Sequence, residues 1–254
     1  MTATADRLDR RSRISPEEWA TRVELAAAYR LVALYGWDDL IYTHISARVP
    51  GTHDFLINPY GMLFEEIRAS DLVKVDLDGN VLEETPYPIN PAGFTIHSAV
   101  HAAREDVGSV LHLHTVNGVA VSCHADGLLP LNQTAMLVRD DVAYHEYEGV
   151  AFNLDERPRL IADLGTKPMM LLRNHGTLTT GKTVGEAFHS MYYLERACAM
   201  QVAALAGGAA LHYPSEAVQQ LVSRQAHAGM DSVARLAWAG LLRKLDREQP
   251  DYKD

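Results

Sequence analysis

The sequence predicts an α/β fold in which helices pack on both faces of one mixed, largely antiparallel sheet. Two patterns predict it: short apolar runs suited to strands gather in the middle of the chain, and capped helical repeats lie toward both ends. A third observation is that no Pro/Gly/Ser-rich linker divides the 254 residues. Residues 15–254 are therefore expected to form one domain behind a flexible polar tail, residues 1–14.

The elements follow in order. Ser15 suits an N-cap, Pro16 the first turn, and Glu18 completes a capping box, while Trp19, Val23, Ala26, Ala27, Arg30, Leu31 and Leu34 recur at helical spacing as far as Tyr35. Gly36 ends that helix. Strands are expected at 41–49, 55–57 and 73–77, the last turning through residues 76–80 into Val81-Leu82 as a hairpin. Asn90-Pro91 starts a helix to about Arg104. The run Val110 to His114 reads as a short buried strand, and 115–122 as one or two helical turns. A strand at 142–144, a helix at 158–164 and the apolar strand Met169 to Arg173 come next, the last ending at His175 before a glycine turn. Thr183-Val184-Gly185-Glu186 is a second capping box. It opens a helix to about Ala206, and Ser215 caps a last helix through about Leu245.

Composition narrows the function. A net charge of −10 opposes polyanionic partners, and the basic cluster Arg7 to Arg13 reads as a solvated tail, so neither nucleic acid nor anionic membrane is an expected partner. No apolar run approaches the roughly twenty residues of a membrane span, and the N-terminus has no hydrophobic signal core. A soluble cytoplasmic protein is expected. Cys123 and Cys198 are too few for a disulfide framework and are expected to be buried free thiols.

The chemistry concentrates in histidines. His112 and His114 lie two apart on a predicted strand, so both side chains project from one face and can share a metal ion. Twelve histidines in this chain would give about 0.6 such pairs by chance, so context must add specificity. His175, at the end of another predicted strand, supplies a third imidazole. A rival pair, His97 and His101, lies four apart on one helix face. A zinc-protease helix needs a glutamate beside the first histidine, and Ser98 stands there, so helix-to-sheet packing with satisfied nitrogens is the expectation for that pair.

The chain resembles the class II aldolase/adducin family from about Ser15 to Gly208. The resemblance rests on five motifs in order: Tyr42-Thr43-His44-Ile45-Ser46-Ala47-Arg48, Asn58-Pro59-Tyr60-Gly61, the helix from Ala92 to His101, His112-Leu113-His114-Thr115, and Arg173-Asn174-His175-Gly176. It implies a three-layer αβα fold, a divalent metal on His112, His114 and His175, and a homo-oligomer, commonly a tetramer. Zinc is the usual metal. Three nitrogens with an open position suit catalytic zinc, and iron or manganese would also be held. The run Gly93 to Ala99 is closest to adducin heads and their bacterial relatives.

Departures from the aldolase pattern shape the expected activity. Sugar-phosphate aldolases of the family carry a glutamate four residues before the position of His97, where this chain has Gly93. Their phosphate-binding Gly-Asn and serine pair correspond here to Thr43-His44 and Pro91-Ala92, and the tyrosine contributed across the subunit contact falls near Gln133-Thr134. The expected function is a metal-dependent lyase, an aldolase or decarboxylase, acting on a small oxo or hydroxy acid or carbonyl compound. His44, Arg48, Tyr144, His145 and Glu148 are its candidate catalytic residues. Two alternatives stand beside it: an adducin-head-like oligomeric binding module without turnover, and a three-histidine iron oxygenase on the same fold.

Overall fold

The computed structural model describes residues 11–151, 153–227 and 230–254. Of the expected tail, residues 1–10 lie outside the described residues, while the Arg11 guanidinium sits 5.1 Å from the Trp19 ring centre. Ser15 accepts from Glu18 N at 3.2 Å and opens α1 (Pro16–Leu34). Then come β1 (His44–Arg48), β2 (Phe55–Ile57), β3 (Val73–Val75), α2 (Pro91–Ala103) and β4 (Ser109–Leu113). The middle of the chain continues with α3 (Val116–Ser122), α4 (Gln133–Val138), β5 (Val142–His145), α5 (Arg157–Leu164), β6 (Met169–Leu172) and β7 (Gly176–Gly181). The Thr183 side chain caps α6 (Val184–Leu205), and α7 (Glu216–His227) and α8 (Met230–Glu248) follow it.

Three sequence expectations change. The last expected helix is helical over Glu216–His227 and Met230–Glu248, and residues 228–229 between these stretches lie outside the described residues. Neither α4 nor β7 was expected: β7 reads Gly-Thr-Leu-Thr-Thr-Gly, with one apolar residue to carry a period. β1 starts at His44 and not at residue 41, because Thr43 turns the chain with a φ of 67° and residues 39–42 close on themselves. Cys198 is buried as expected, but Cys123 is exposed at the end of α3.

The strands lie in the order β3-β2-β1-β4-β7-β6-β5. Every neighbouring pair is antiparallel except β5 with β6. Alternation then sorts the side chains into two cores. Ile45, Ala47, Leu111 and Leu113 pack against α1 and α6, while Val110, Met170, Leu172 and Leu178 pack against α2 and α5. Met169 and Leu171 extend the first core under α3 and α4. This is a three-layer αβα fold. Tyr29 of α1 ties its layer to the sheet, because its buried hydroxyl accepts from Ile45 N at 2.9 Å and Asn58 N at 3.0 Å and donates to Ile45 O or Asn58 Oδ1. Burial pushes the Tyr29 phenol pKa upward. Among the described residues, no helix is long and apolar enough to cross a membrane.

Candidate metal centre

Strand direction brings the histidines together. β1 starts where β4 ends, since His44 pairs with His112 across the antiparallel register, and β6 ends at the same edge of the sheet. Between β6 and β7 the chain reverses in a tight turn closed by His175 N to Leu172 O at 3.1 Å. Asn174 takes the left-handed position of that turn with a φ of 57°, a conformation its short polar side chain tolerates. Two residues on, position 176 must be glycine. A Cβ on Gly176 would lie 2.6 Å from Leu113 O and 3.1 Å from the His114 ring.

His112, His114 and His175 each offer one ring nitrogen, and the three atoms lie within 4.8 Å of one another. The hydrogen bonds fix two of the tautomers. His112 Nδ1 lies 3.0 Å from Thr177 O, an acceptor only, so it carries the proton, and its Nε2 is a lone pair. His114 Nδ1 lies 3.0 Å from Asp39 Oδ2, so in the neutral ring the proton is on Nδ1 and Nε2 is the lone pair. These two lone pairs face each other at 3.2 Å. That contact is repulsive without a cation, and it is close to the roughly 3.3 Å edge of a tetrahedron with zinc–nitrogen bonds near 2.05 Å. The carboxylate and the carbonyl behind the imidazoles are the outer supports expected of metal ligands. Burial, then the neighbouring imidazoles, holds the pKa of His112 well below the usual histidine value, and similar causes bring His175 down to about 4. Both are neutral, as ligands must be.

A second row of buried groups runs behind the centre. The His44 ring stacks on His112 with centres 5.1 Å apart, and its Nδ1 meets His97 Nε2 at 3.0 Å. His97 Nδ1 meets Ser46 Oγ at 2.5 Å, and the same oxygen meets His101 Nε2 at 2.8 Å. Gly93 makes the row possible. A Cβ there would stand 2.4 Å from His44 Cδ2.

These positions fit one lineage. The sequence profile described as Class II Aldolase and Adducin N-terminal domain matches residues 23–202. The chain belongs to the class II aldolase and adducin family. A Caulobacter vibrioides protein whose name places it with the class 2 aldolases is 60% identical over 246 residues, 96% of each chain. Mouse alpha-adducin is 46% identical over 189 residues, which are 73% of this chain and 26% of that protein. An aldolase II superfamily protein from Pseudomonas syringae superposes with a TM-score of 0.93 at 52% identity, covering 96% of this chain and 99% of that one. For L-fuculose 1-phosphate aldolase from Glaciozyma antarctica the TM-score is 0.83 at 26% identity, covering 94% and 93%.

Of the five side chains that the sequence put forward as catalytic, the structure brings His44 to the centre and engages the other four elsewhere. Arg48 lies at the far end of β1 and caps the C-terminus of α2, donating to His101 O at 2.6 Å and Arg104 O at 3.2 Å. Tyr144 faces the opposite core, where its hydroxyl accepts from Leu128 N at 3.0 Å and Arg173 lies 4.5 Å from its ring. His145 shares the sheet edge but spends Nδ1 on Asp163 at 2.7 Å and Nε2 on Glu156 at 3.2 Å. Glu148 pairs at the surface with Arg159 at 2.5 Å. Of the rival helix pair, His97 is fully satisfied, whereas His101 Nδ1 is buried without a partner.

Three participants escaped the sequence reading. Asp39, behind His114, sits in an irregular turn that carries no motif. Tyr147 is half exposed with its ring 6.1 Å from His175, a rim position that no periodicity marks. Glu195 of α6 is buried, accepting from Asn117 Nδ2 at 2.7 Å, from Gly118 N at 3.1 Å and from Thr115, and so anchors the turn that follows His114. Burial raises its pKa. Its helical spacing reads as ordinary core, so only the fold shows what it holds.

Proposed function

We propose that this protein is a metal-dependent lyase of class II aldolase type, holding zinc on His112, His114 and His175 and acting on a small oxo or hydroxy acid or carbonyl compound. The observation that carries the reading is the 3.2 Å approach of the His112 and His114 Nε2 atoms, each imidazole held from behind through Nδ1 by an acceptor. A bound zinc supplies Lewis-acid stabilisation of negative charge on a substrate oxygen. The chain's own groups orient and exclude: Asp39 and Thr177 fix the imidazoles, Gly176 lets them close up, and Tyr147 stands on the rim. Manganese and ferrous iron are the metals to compare with zinc in reconstitution, iron being the occupant that an oxygenase would need. We further propose a cytoplasmic homotetramer.

The same reading excludes phosphorylated ketoses as tight ligands. Pro91 has no N–H, and the Asn90 side chain already accepts from Ala92 N at 3.1 Å, so the start of α2 is capped by its own chain. Calorimetry with dihydroxyacetone phosphate on metal-loaded protein checks this, and micromolar binding would overturn it. The similarity to adducin supports a second reading, an oligomeric binding module with no turnover. Elemental analysis of purified protein, with retro-aldol and decarboxylase assays on a panel of oxo acids, separates the two. Stoichiometric metal that disappears in His114→Ala supports the enzyme, whereas a metal-free, inactive preparation supports the module.

A further inference from the structure

The row of four buried side chains behind the centre has a direction, and the direction decides what His44 offers. His44 Nδ1, His97 and Ser46 are hydrogen-bonded in series, and His101 closes the row with its Nδ1 buried and unpartnered. All four residues are at most 3% exposed, and among the described residues no carboxylate bonds to any of the three rings. A cation in this row would be buried without a counter-charge, so the rings are neutral and each carries one proton.

Three arrangements of those protons place one in every contact of the row. In the first, His97 donates from Nδ1 to Ser46, the Ser46 hydroxyl donates to His101 Nε2, and His101 is left with a buried N–H that meets nothing. In the second, both rings donate to Ser46, and its hydroxyl proton is left without an acceptor. In the third, His101 Nε2–H donates to Ser46, Ser46 donates to His97 Nδ1, and His97 Nε2–H donates to His44 Nδ1. Every donor of His97, Ser46 and His101 is then used, only a lone pair on His101 goes unmet, and the one N–H without a protein partner is that of His44, on a nitrogen not sealed from solvent. Buried orphaned donors are rarer in proteins than under-satisfied acceptors, so the third arrangement is favoured. It leaves the single proton of His44 on Nε2. That nitrogen has no protein partner among the described residues, and it is not among the buried atoms sealed from solvent.

We propose that His44 presents an N–H donor, through Nε2, to an oxygen lone pair of a substrate held at the three-histidine centre, with its tautomer set by His97, Ser46 and His101. The ligand class is a carbonyl or carboxylate oxygen beside the metal. His44 is accordingly a substrate-contacting group and not a fourth metal ligand, since a protonated Nε2 has no lone pair to give. His97, Ser46 and His101 are positioning residues. The inference rests on the three-histidine centre as the substrate site, but the tautomer itself exists with or without metal.

Nitrogen-15 NMR of histidine-labelled, metal-free protein tests the tautomer, with His44 assigned by through-bond correlation from its own Cβ. The expected result is a pyrrole-type Nε2 and a pyridine-type Nδ1 for His44. The opposite pattern overturns the proposal. A second measurement uses His97→Leu, which removes the donor opposite His44 Nδ1 and should move the pyridine-type Nδ1 signal of His44 downfield as its hydrogen bond is lost, an unmoved signal overturning the role given to His97. If that variant does not fold, the wild-type spectrum still decides. The contact is read on zinc-loaded protein titrated with acetate: the His44 Hε2 resonance should move downfield, and an unmoved resonance at saturating acetate refutes the contact. Zinc content measured on the same sample separates the outcomes, because a protein that takes up no zinc refutes the metal reading while the tautomer result stands.

Discussion

The dependence of the His44 ring on the missing side chain at Gly93 can be measured as a coupling energy. In Gly93→Ala the new Cβ would lie 2.4 Å from His44 Cδ2 and 2.7 Å from Cγ, against the 3.5–4.0 Å of ordinary carbon contacts. The ring must retreat by roughly 1 Å, which breaks the 3.0 Å bond to His97. Overpacking costs about 1–3 kcal/mol, the lost hydrogen bond adds about 1 kcal/mol, and alanine in place of glycine in a helix returns up to about 1 kcal/mol. The net expectation is a destabilisation of about 2 kcal/mol. In a His44→Ala background the clash is absent, and the same change should be neutral or stabilising by about 0.5 kcal/mol. A double-mutant cycle by urea unfolding, all four proteins metal-free and at one concentration, should therefore give a coupling of about 2–3 kcal/mol. If Gly93→Ala costs the same in both backgrounds to within about 0.5 kcal/mol, the two residues are independent and the account of Gly93 is wrong.

Asp39→Asn should weaken zinc binding about 10–100-fold in a competitive chelator titration, as loss of an outer support does elsewhere, and unchanged affinity would show that the His114 contact is incidental. Tyr29→Phe should cost about 3 kcal/mol in urea unfolding, since it strips a buried hydroxyl from two backbone N–H groups; a loss below about 0.5 kcal/mol would refute its role as the tie between α1 and the sheet. Acid should destabilise the metal-free protein early. Burial, then the neighbouring Arg48 charge, brings the His101 pKa down to about 3, so its contribution is complete above the unfolded value near 6.5 and is lost as pH falls from there toward 3. Its share alone is about 2 kcal/mol by pH 5. His44, His97 and His112 are shifted the same way, and a urea midpoint that stays flat between pH 7 and pH 5 would contradict the buried neutral row.

The legible parts of the fold were those with two agreeing signals. α1 combined a cap, a proline in its first turn and a helical stripe, and α6 combined a cap with twenty-two periodic residues; both were readable to within about two residues. α4 has six residues and β7 one leucine among threonines and glycines, so neither generates a period, and tertiary pairing alone makes them regular.

The three-histidine cluster was legible for a different reason. Two histidines two apart on an apolar run and a third before a glycine are local patterns, and the fold had only to bring two strand ends to one edge. The support of the site is not local. Asp39 reaches His114 across seventy-five positions and Glu195 reaches Thr115 across eighty, and no spacing encodes such a contact. Arg48 shows the converse error. As a guanidinium in a family motif four residues from His44 it looked catalytic, but four residues along a strand is about 13 Å, and at that end of β1 it donates to the last carbonyls of α2. Gly93 is the sharpest case. An absent side chain reads in sequence as the loss of a function, whereas in the fold it is the space that the His44 ring fills.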